Sequence, residues 1–154
     1  MKRLLFLSFL IISILFNSNA QSDEEAVKQT ILRMFDGMRA GDAAMVSSVF
    51  AKGIIMQRVT ENKEGETIIR TSDPKRFLTA VGTPHDQVWD ERIAYGPIQI
   101  DGDMASAWIP YQFFLGNQFS HCGVNSFQLY KSEEGWKIHF LVDTGRKEDC
   151  PEVE

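Results

Sequence analysis

The sequence is poor in the residues and motifs that most often mark reactive centres. It has two cysteines and three histidines among 154 residues, and the cysteines do not form the C-x-x-C pair of thiol redox enzymes. It also has no G-x-S-x-G elbow, no P-loop and no dinucleotide fingerprint. These absences argue against the hydrolases, nucleotide-binding proteins and oxidoreductases that a sequence most readily reveals, and we expect no cofactor.

The sequence also lacks a basic cluster. It has 16 lysines and arginines against 21 acidic residues, a formal net charge of −5. Binding to nucleic acid or to an anionic membrane surface relies on clustered positive charge. We therefore expect neither nucleic acid nor a membrane surface among the partners.

Only one long apolar run is present, and it lies at the N-terminus. Lys2 and Arg3 precede an apolar stretch from Leu4 to Phe16, and Asn17–Ala20 ends in a small residue. This is the pattern of a signal peptide cleaved near Ala20. The run of about 13 residues is shorter than the roughly 20 that span a bilayer, which disfavours the alternative of an uncleaved anchor. No cysteine lies immediately after the cut, which disfavours a lipoprotein.

The predicted product is therefore a secreted or periplasmic protein with no membrane segment. It would span residues 21–154 as a single domain, because about 134 residues is a usual size for one core. Loss of Lys2 and Arg3 moves the formal charge to about −7. Both Cys122 and Cys150 lie in this part, and an even count in an oxidising compartment predicts a disulfide, with two free thiols as the alternative.

Apolar spacing predicts three helices in the first half. Val27, Ile31, Met34 and Met38 form one helical stripe, after which Gly41 can end the helix and Asp42 can cap a second. The second helix is expected to carry Met45, Val46, Val49 and Phe50 towards the core. Ser72-Asp73-Pro74 predicts the start of a third, which stops at Gly82.

Alternating patterns predict strands for the rest of the chain. Two short ones, 54–59 and 66–71, precede the third helix, and four longer ones follow it, at about 88–100, 104–115, 119–131 and 136–144. Their connections are too short for parallel crossovers, so consecutive strands should pair as hairpins. The predicted class is α+β, with helices on one face of a bent antiparallel sheet.

At this point the chain resembles the nuclear transport factor 2-like superfamily, with its SnoaL-like polyketide-cyclase and its ketosteroid-isomerase branches. The resemblance rests on the first helix ending in Arg39–Asp42, the short helix ending in Val49-Phe50, and the hairpin with Gly135–Ile138. Phe119–Val124 together with Cys150 is similar to exported bacterial members, some of which carry the label lumazine-binding. The resemblance implies a cone-shaped fold with a pocket at its open end and dimers through the outer sheet face.

The isomerase branch implies a tyrosine on the first helix and carboxylates on the sheet, and this chain departs from that pattern. Its first helix has no tyrosine, and the strand Ile54–Val59 has no carboxylate. A dehydratase-like or cyclase-like site needs a histidine instead. His121 is the best candidate because it shares strand parity with Asn125, Phe127 and Leu129, and its alternatives are a structural role or a polar contact in the pocket.

The neighbours of His121 depend on the hairpin between the strands. A three-residue loop at 116–118 pairs Phe113 with His121 and turns Tyr111 inward, whereas a two-residue turn at 116–117 pairs Gln112 with His121 and turns Trp108 inward. The sequence does not choose between the two registers. The candidate ligand-binding residues are Trp108, Tyr111, Phe113, His121 and Asn125.

No carboxylate partner for His121 is evident, and no metal site is expected. Asp143 has the parity opposite to Trp136 and Ile138, which predicts that it faces outward. His139 and Asp143 lie four apart on one strand, roughly 13 Å, too far to chelate one ion. His85 falls in a polar loop.

The segment from Trp108 to Phe114 is apolar on both faces, which predicts a covered outer surface. A two-fold dimer through the sheet is the expected cover, and the C-terminal tail held by Cys150 is the alternative. Three functions fit: a module that binds a small, partly apolar molecule; an isomerase-type or dehydratase-type enzyme that uses His121 without metal; and an interaction domain with a filled pocket. The first is the leading hypothesis.

Overall fold

A computed structural model of the chain describes residues 23–153. The predicted signal peptide, residues 1–20, lies outside the described residues. No helix within 23–153 is long and apolar enough to cross a membrane. The described part contains three helices and seven strands: α1 (23–40), α2 (Ala43–Ser48), β1 (Phe50–Glu61), β2 (Thr67–Ser72), α3 (Pro74–Gly82), β3 (Trp89–Ile93), β4 (Ile98–Asp101), β5 (Met104–Leu115), β6 (Gln118–Ser132) and β7 (Gly135–Thr144).

The helix boundaries follow from residues at their ends. Gly41 follows α1 with a positive φ of 67°. Glycine adopts this conformation without steric cost because it has no Cβ atom. The Asp42 side chain then accepts a hydrogen bond from the Met45 backbone N–H at 2.9 Å and caps α2. α2 ends at Ser48, so Phe50, expected within this helix, is instead the first residue of β1.

The strands form one curved sheet in the order β2-β1-β7-β6-β5-β3, and β4 also pairs with β5. Consecutive strands from β5 to β7 are antiparallel hairpins, as predicted. β1 runs parallel to β7, however, so the sheet is mixed rather than wholly antiparallel. The prediction of antiparallel pairing applies only to strands that are joined by short connections. Most of the domain lies between β1 and β7 in the sequence, and a connection of that length allows parallel pairing. The α+β class is confirmed.

The predicted strand 88–100 is two strands. β3 pairs with β5 along Tyr111–Leu115, and β4 pairs with it along Met104–Ala107. Pro97 lies in the gap and has no N–H to donate to a ladder. The break leaves β3 beside the half of β5 that is nearest the β5–β6 turn.

The core lies between the inner face of the sheet and α1. α1 buries its predicted stripe against sheet residues, and Phe35 meets Phe127 edge to face with ring centroids 6.2 Å apart. Ala105, Ala107 and Ile109 of β5 are buried at one end of the sheet. At the other end the inner face turns polar, and there the helices do not fill the space.

Candidate functional site

A cavity of about 640 Å³ opens between α1, α3 and the inner face of the sheet. Its wall on the helix side is apolar and comes from Met34, Phe35, Met38 and Phe77. Its rim is exposed and consists of Arg70, Thr71, Ser72, Asp73 and Arg76. A volume of this size is within the range of small-molecule sites.

Five polar side chains from four strands line the sheet side of the cavity. We call this set the polar cluster: Arg58 of β1, Glu91 of β3, His121 and Asn125 of β6, and Asp143 of β7. Four apolar residues lie beside it on the same wall: Met56, Trp89, Phe113 and Leu141. The arrangement is an apolar chamber with its polar groups gathered on one side.

Arg58 and Asp143 form an ion pair within the polar cluster. They face each other across the parallel β1–β7 pair, and the Arg58 Nε donates to both Asp143 carboxylate oxygens, at 3.0 and 2.8 Å, while its Nη2 donates to Oδ2. The bond to Asp143 raises the pKa of Arg58. Such a two-point contact fixes the orientation of both groups.

Glu91 is the carboxyl group of the cluster that has no charged hydrogen-bonding partner among residues 23–153. Asn125, which is only 4 % exposed, donates from Nδ2 to Glu91 Oε1 at 2.7 Å. Burial, together with the nearby negative charge of Asp143, raises the pKa of Glu91 to about 7 despite the Asn125 hydrogen bond. This carboxyl group therefore exists in both protonation states near neutral pH.

His121 lies on the cavity wall but, within residues 23–153, makes no hydrogen bond to a carboxylate. Its ring is 5.1 Å from that of Phe113 and 5.7 Å from that of Tyr111, centroid to centroid, and its Nδ1 is 3.1 Å from Ser120 Oγ. Burial lowers the pKa of His121, and the Arg58 charge lowers it further. Both effects favour the neutral imidazole, and the acid–base role of His121 stays a prediction.

Tyr111 is buried beneath the cluster. It is 1 % exposed, and its hydroxyl donates to the Thr144 carbonyl at 2.7 Å. Its ring crosses Gly123, where an added Cβ would be 2.1 Å from the Thr144 oxygen and 3.0 Å from Tyr111 Cε1. Tyr111 is not among the residues that line the cavity. It packs instead behind the wall, with its ring against that of His121.

The β5–β6 hairpin combines features of the two predicted registers. Its turn is the two-residue one, Gly116-Asn117, yet Phe113 pairs with His121 as expected of the longer loop. A bulge reconciles them, because Ser120 is an extra residue between the Phe114–Phe119 and Phe113–His121 pairs. Trp108 consequently faces outward and is 52 % exposed, so it lies on the opposite face of the sheet from the cavity and is not among the residues that line it.

A second bulge turns Asp143 inward and corrects the prediction that it faces outward. Leu129 pairs with Ile138 but Gln128 pairs with Phe140, which leaves His139 as an extra residue in β7. Strand parity therefore reverses after His139, and Leu141 and Asp143 join the inner face. The alternation of apolar residues gave no signal of this insertion.

The predicted disulfide between Cys122 and Cys150 is present. Cys122 is on the outer face, next to His121, and its backbone pairs with that of Arg146. Gln112 also donates from Nε2 to the Pro151 carbonyl at 2.8 Å. The tail therefore covers the sheet around Cys122 and Gln112, and leaves Trp108 exposed.

Sequence reasoning missed Glu91 and Arg58, although the sequence carried a signal for both. Glu91 is in phase with Trp89 and Ile93, and Arg58 is in phase with Ile54 and Met56. A charged residue in phase with an apolar stripe points towards the interior. Within residues 23–153, no three His, Cys, Asp or Glu side chains are arranged to hold a metal ion.

Comparison with protein-family models and with curated proteins finds no match. Solved structures do resemble the chain. An NTF2-like protein with a cystatin-like fold from Novosphingobium aromaticivorans superposes with a TM-score of 0.70 at 12 % identity, over 88 % of this chain and 90 % of that one. An NTF2-like protein of unknown function from Shewanella baltica gives 0.63 at 16 % identity, over 81 % and 94 %.

A third structure, a protein of unknown function from Mycobacterium tuberculosis, gives a TM-score of 0.63 at 14 % identity, over 84 % of this chain and 75 % of that one. Identities this low establish the fold and leave the activity open. The agreement extends over most of each chain. The chain therefore has the nuclear transport factor 2-like, cystatin-like α+β fold that its sequence resembles.

Proposed function

We propose that the protein binds a small, partly apolar molecule in the cavity, outside the cytoplasm. The observation that carries the proposal is the cavity itself, because 640 Å³ lined by apolar side chains with polar groups on one side is the usual composition of a ligand site. A disulfide fits an oxidising compartment. Export and cleavage near Ala20 belong to the same proposal.

A cavity-filling substitution tests ligand binding, and the neighbouring residue provides its control. Met56 lines the cavity, whereas Ile55 is 47 % exposed on the opposite face of the same strand. We expect Met56→Trp to weaken binding of the uncharged fluorescent probe N-phenyl-1-naphthylamine at least about tenfold, since indole occupies the space. Ile55→Trp should leave the affinity within about twofold. Equal affinities in the two variants would contradict the proposal.

Native mass spectrometry of protein purified from the exported fraction tests the remaining parts. A measured mass that matches a chain beginning at Gln21, and that is two daltons lower than the mass of the same chain with reduced cysteines, would support cleavage and the disulfide together. A co-purified small molecule would support the pocket, and a doubled mass would support the dimer. A full-length chain in that fraction would contradict signal cleavage.

A second candidate function is an enzyme that transfers protons. The observation that favours it is the Glu91 carboxyl group, which faces the cavity and titrates near neutral pH. If the cavity is catalytic, Glu91 is better suited than His121 to exchange a proton, because no carboxylate in the described part of the chain hydrogen-bonds to the imidazole. Loss of turnover in Glu91→Gln but not in His121→Gln would support this assignment over the one predicted from the sequence.

A two-fold dimer through the outer sheet face also remains part of the proposed function. Four large apolar residues on that face are 39–55 % exposed: Met104, Trp108, Phe119 and Tyr130. Two hairpin strands present them on one surface. Burial of this surface against a second copy would remove it from water.

A further inference from the structure

The cavity has an uneven distribution of charge, which bears on the kind of molecule it binds. Its sheet side carries two carboxyl groups, Glu91 and Asp143, against one guanidinium, that of Arg58. Arg58 is already bonded to Asp143 through two nitrogens. With Glu91 ionised, the polar cluster therefore has one negative charge that no described residue neutralises by direct contact.

The geometry of Glu91 leaves one of its oxygens available. Asn125 occupies Oε1 and holds the carboxyl plane in place, and among residues 23–153 no side chain donates to Oε2. Glu91 itself lines the cavity. An ionised carboxylate that is partly buried is strongly favoured by a cationic hydrogen-bond donor, which supplies charge and a proton together.

Aromatic rings flank Glu91 on the cavity wall. Phe113 is its cross-strand partner on β5, and Trp89 lies two residues before it on the same face of β3. The Trp89 and Phe113 rings are 6.3 Å apart and nearly perpendicular. Aromatic rings next to a carboxylate attract a cation through their π faces and also cover the apolar body that carries it.

From these three observations we infer that the cavity binds the ammonium group of an amine with an apolar body, with its nitrogen at Glu91 Oε2. The inference rests on the proposed function, since it names the ligand class of the same cavity. The rim charges do not oppose it, because Arg70, Arg76 and Asp73 are exposed to solvent and are screened within about 10 Å at moderate salt.

Three compounds that share a phenyl-substituted alkyl chain and differ in the end group test the inference. They are 4-phenylbutylamine, 4-phenylbutan-1-ol and 4-phenylbutyrate, each to be measured as a competitor of N-phenyl-1-naphthylamine. At pH 8 the amine should bind at least about tenfold more tightly than the alcohol, and the carboxylate should bind most weakly. Glu91→Gln keeps an oxygen for Asn125; it should weaken amine binding about tenfold and change alcohol binding less than twofold.

The pH dependence of binding provides a second readout. An alkylammonium stays charged up to about pH 10, so from pH 8 to pH 6 amine affinity should fall about tenfold as Glu91 becomes protonated. The other titratable or charged groups that face Glu91 are Arg58, Asp143, Tyr111 and His121. His121→Gln should keep this fall in affinity, and Glu91→Gln should abolish it.

A measurement on the unaltered protein guards against a variant that fails to fold. At pH 7, amine binding should release about half a proton per ligand, because it converts the neutral fraction of Glu91 to carboxylate. Titration calorimetry in buffers of different ionisation enthalpy detects this release, and the alcohol should show none. Equal binding of all three compounds, or proton uptake with the amine, would overturn the inference.

The two proposals fail differently. If N-phenyl-1-naphthylamine binds the wild type and Met56→Trp blocks it, but no amine preference is seen, the ligand class is wrong and the pocket function stands. If the probe itself does not bind in the cavity, both are wrong.

Discussion

Glu91 combines burial with a single neutral hydrogen-bonding partner, and this combination determines how the residue behaves. Its carboxyl group receives one amide hydrogen bond from Asn125 and lies near the charge of Asp143. A carboxylate in such surroundings is destabilised relative to water unless a cation arrives. The protein thus maintains a site that is incomplete without a proton or a positively charged ligand.

This environment predicts an effect on stability even without ligand. The folded-state pKa of Glu91, about 7, is above its ordinary value of 4.5, so the folded protein binds the proton more tightly than the unfolded chain. The contribution to stability is complete below about pH 4.5 and is lost as pH rises to about 7, by up to about 3 kcal/mol. Glu91→Gln should therefore exceed the wild type in unfolding free energy by more at pH 8 than at pH 5.

Urea denaturation of both proteins at the two pH values measures this difference. Since all other groups are common to the two chains, their titration largely cancels in the comparison. A gap between variant and wild type that is the same at pH 5 and pH 8 would show that burial does not perturb Glu91.

At the scale of elements, the close contact of β5, β6 and β7 beneath the cluster depends on one glycine. Tyr111 reaches Thr144 across Gly123, and no side chain fits between them. The contact joins three strands at the point where His121 and the disulfide also lie. We expect this corner to determine the position of His121 on the cavity wall.

Gly123→Ala should destabilise the fold by about 3 kcal/mol, at the upper end of overpacking costs, because the added methyl would be 2.1 Å from a backbone oxygen that cannot rotate away. Gly145→Ala is the matched control, since its nearest neighbour, Arg58 Nη1, would be 3.6 Å from the new Cβ. Its cost should be below about 1 kcal/mol. Equal melting curves for the two variants would refute the close contact.

The sequence predicted elements better than it predicted which side chains face the cavity. Capping residues such as Asp42 and Asp73 place helix starts within one residue, because their interactions are local. The parallel β1–β7 pair and the bulges at Ser120 and His139 depend on contacts between distant segments. His121 and Asn125 were assigned correctly to the inner face because no bulge separates them from Phe127, whose parity was used as the reference. Asp143 was assigned to the wrong face because the bulge at His139 lies between it and its reference residue, Ile138.

At the scale of the whole molecule, the sheet has two apolar faces but helices cover only one. The tail covers the outer face around Gln112, and Trp108 remains 52 % exposed in the single chain. A large exposed indole among other apolar residues is costly in water and typical of a surface that meets a partner.

Sedimentation velocity at micromolar concentration tests whether that partner is a second copy. The wild type should sediment as a dimer, and Trp108→Glu should shift it to monomer by placing a charge in the interface. Ile69→Glu is the control, since Ile69 is 62 % exposed on the edge strand β2, and it should remain a dimer. A monomeric wild type would exclude the self-association.

The bulge at His139 has a consequence for how such a protein diversifies. Because the bulge already leaves this one residue out of the ladder, removing it would restore simple alternation along β7 and keep Leu141 and Asp143 on the inner face. Arg58 would keep its carboxylate partner, and Glu91 would keep its negative neighbour, because the pairs that Asp143 makes with Arg58 and Asn125 do not involve His139. Loss of one codon at this bulge would thus change the length of the chain without changing which side chains line the chamber.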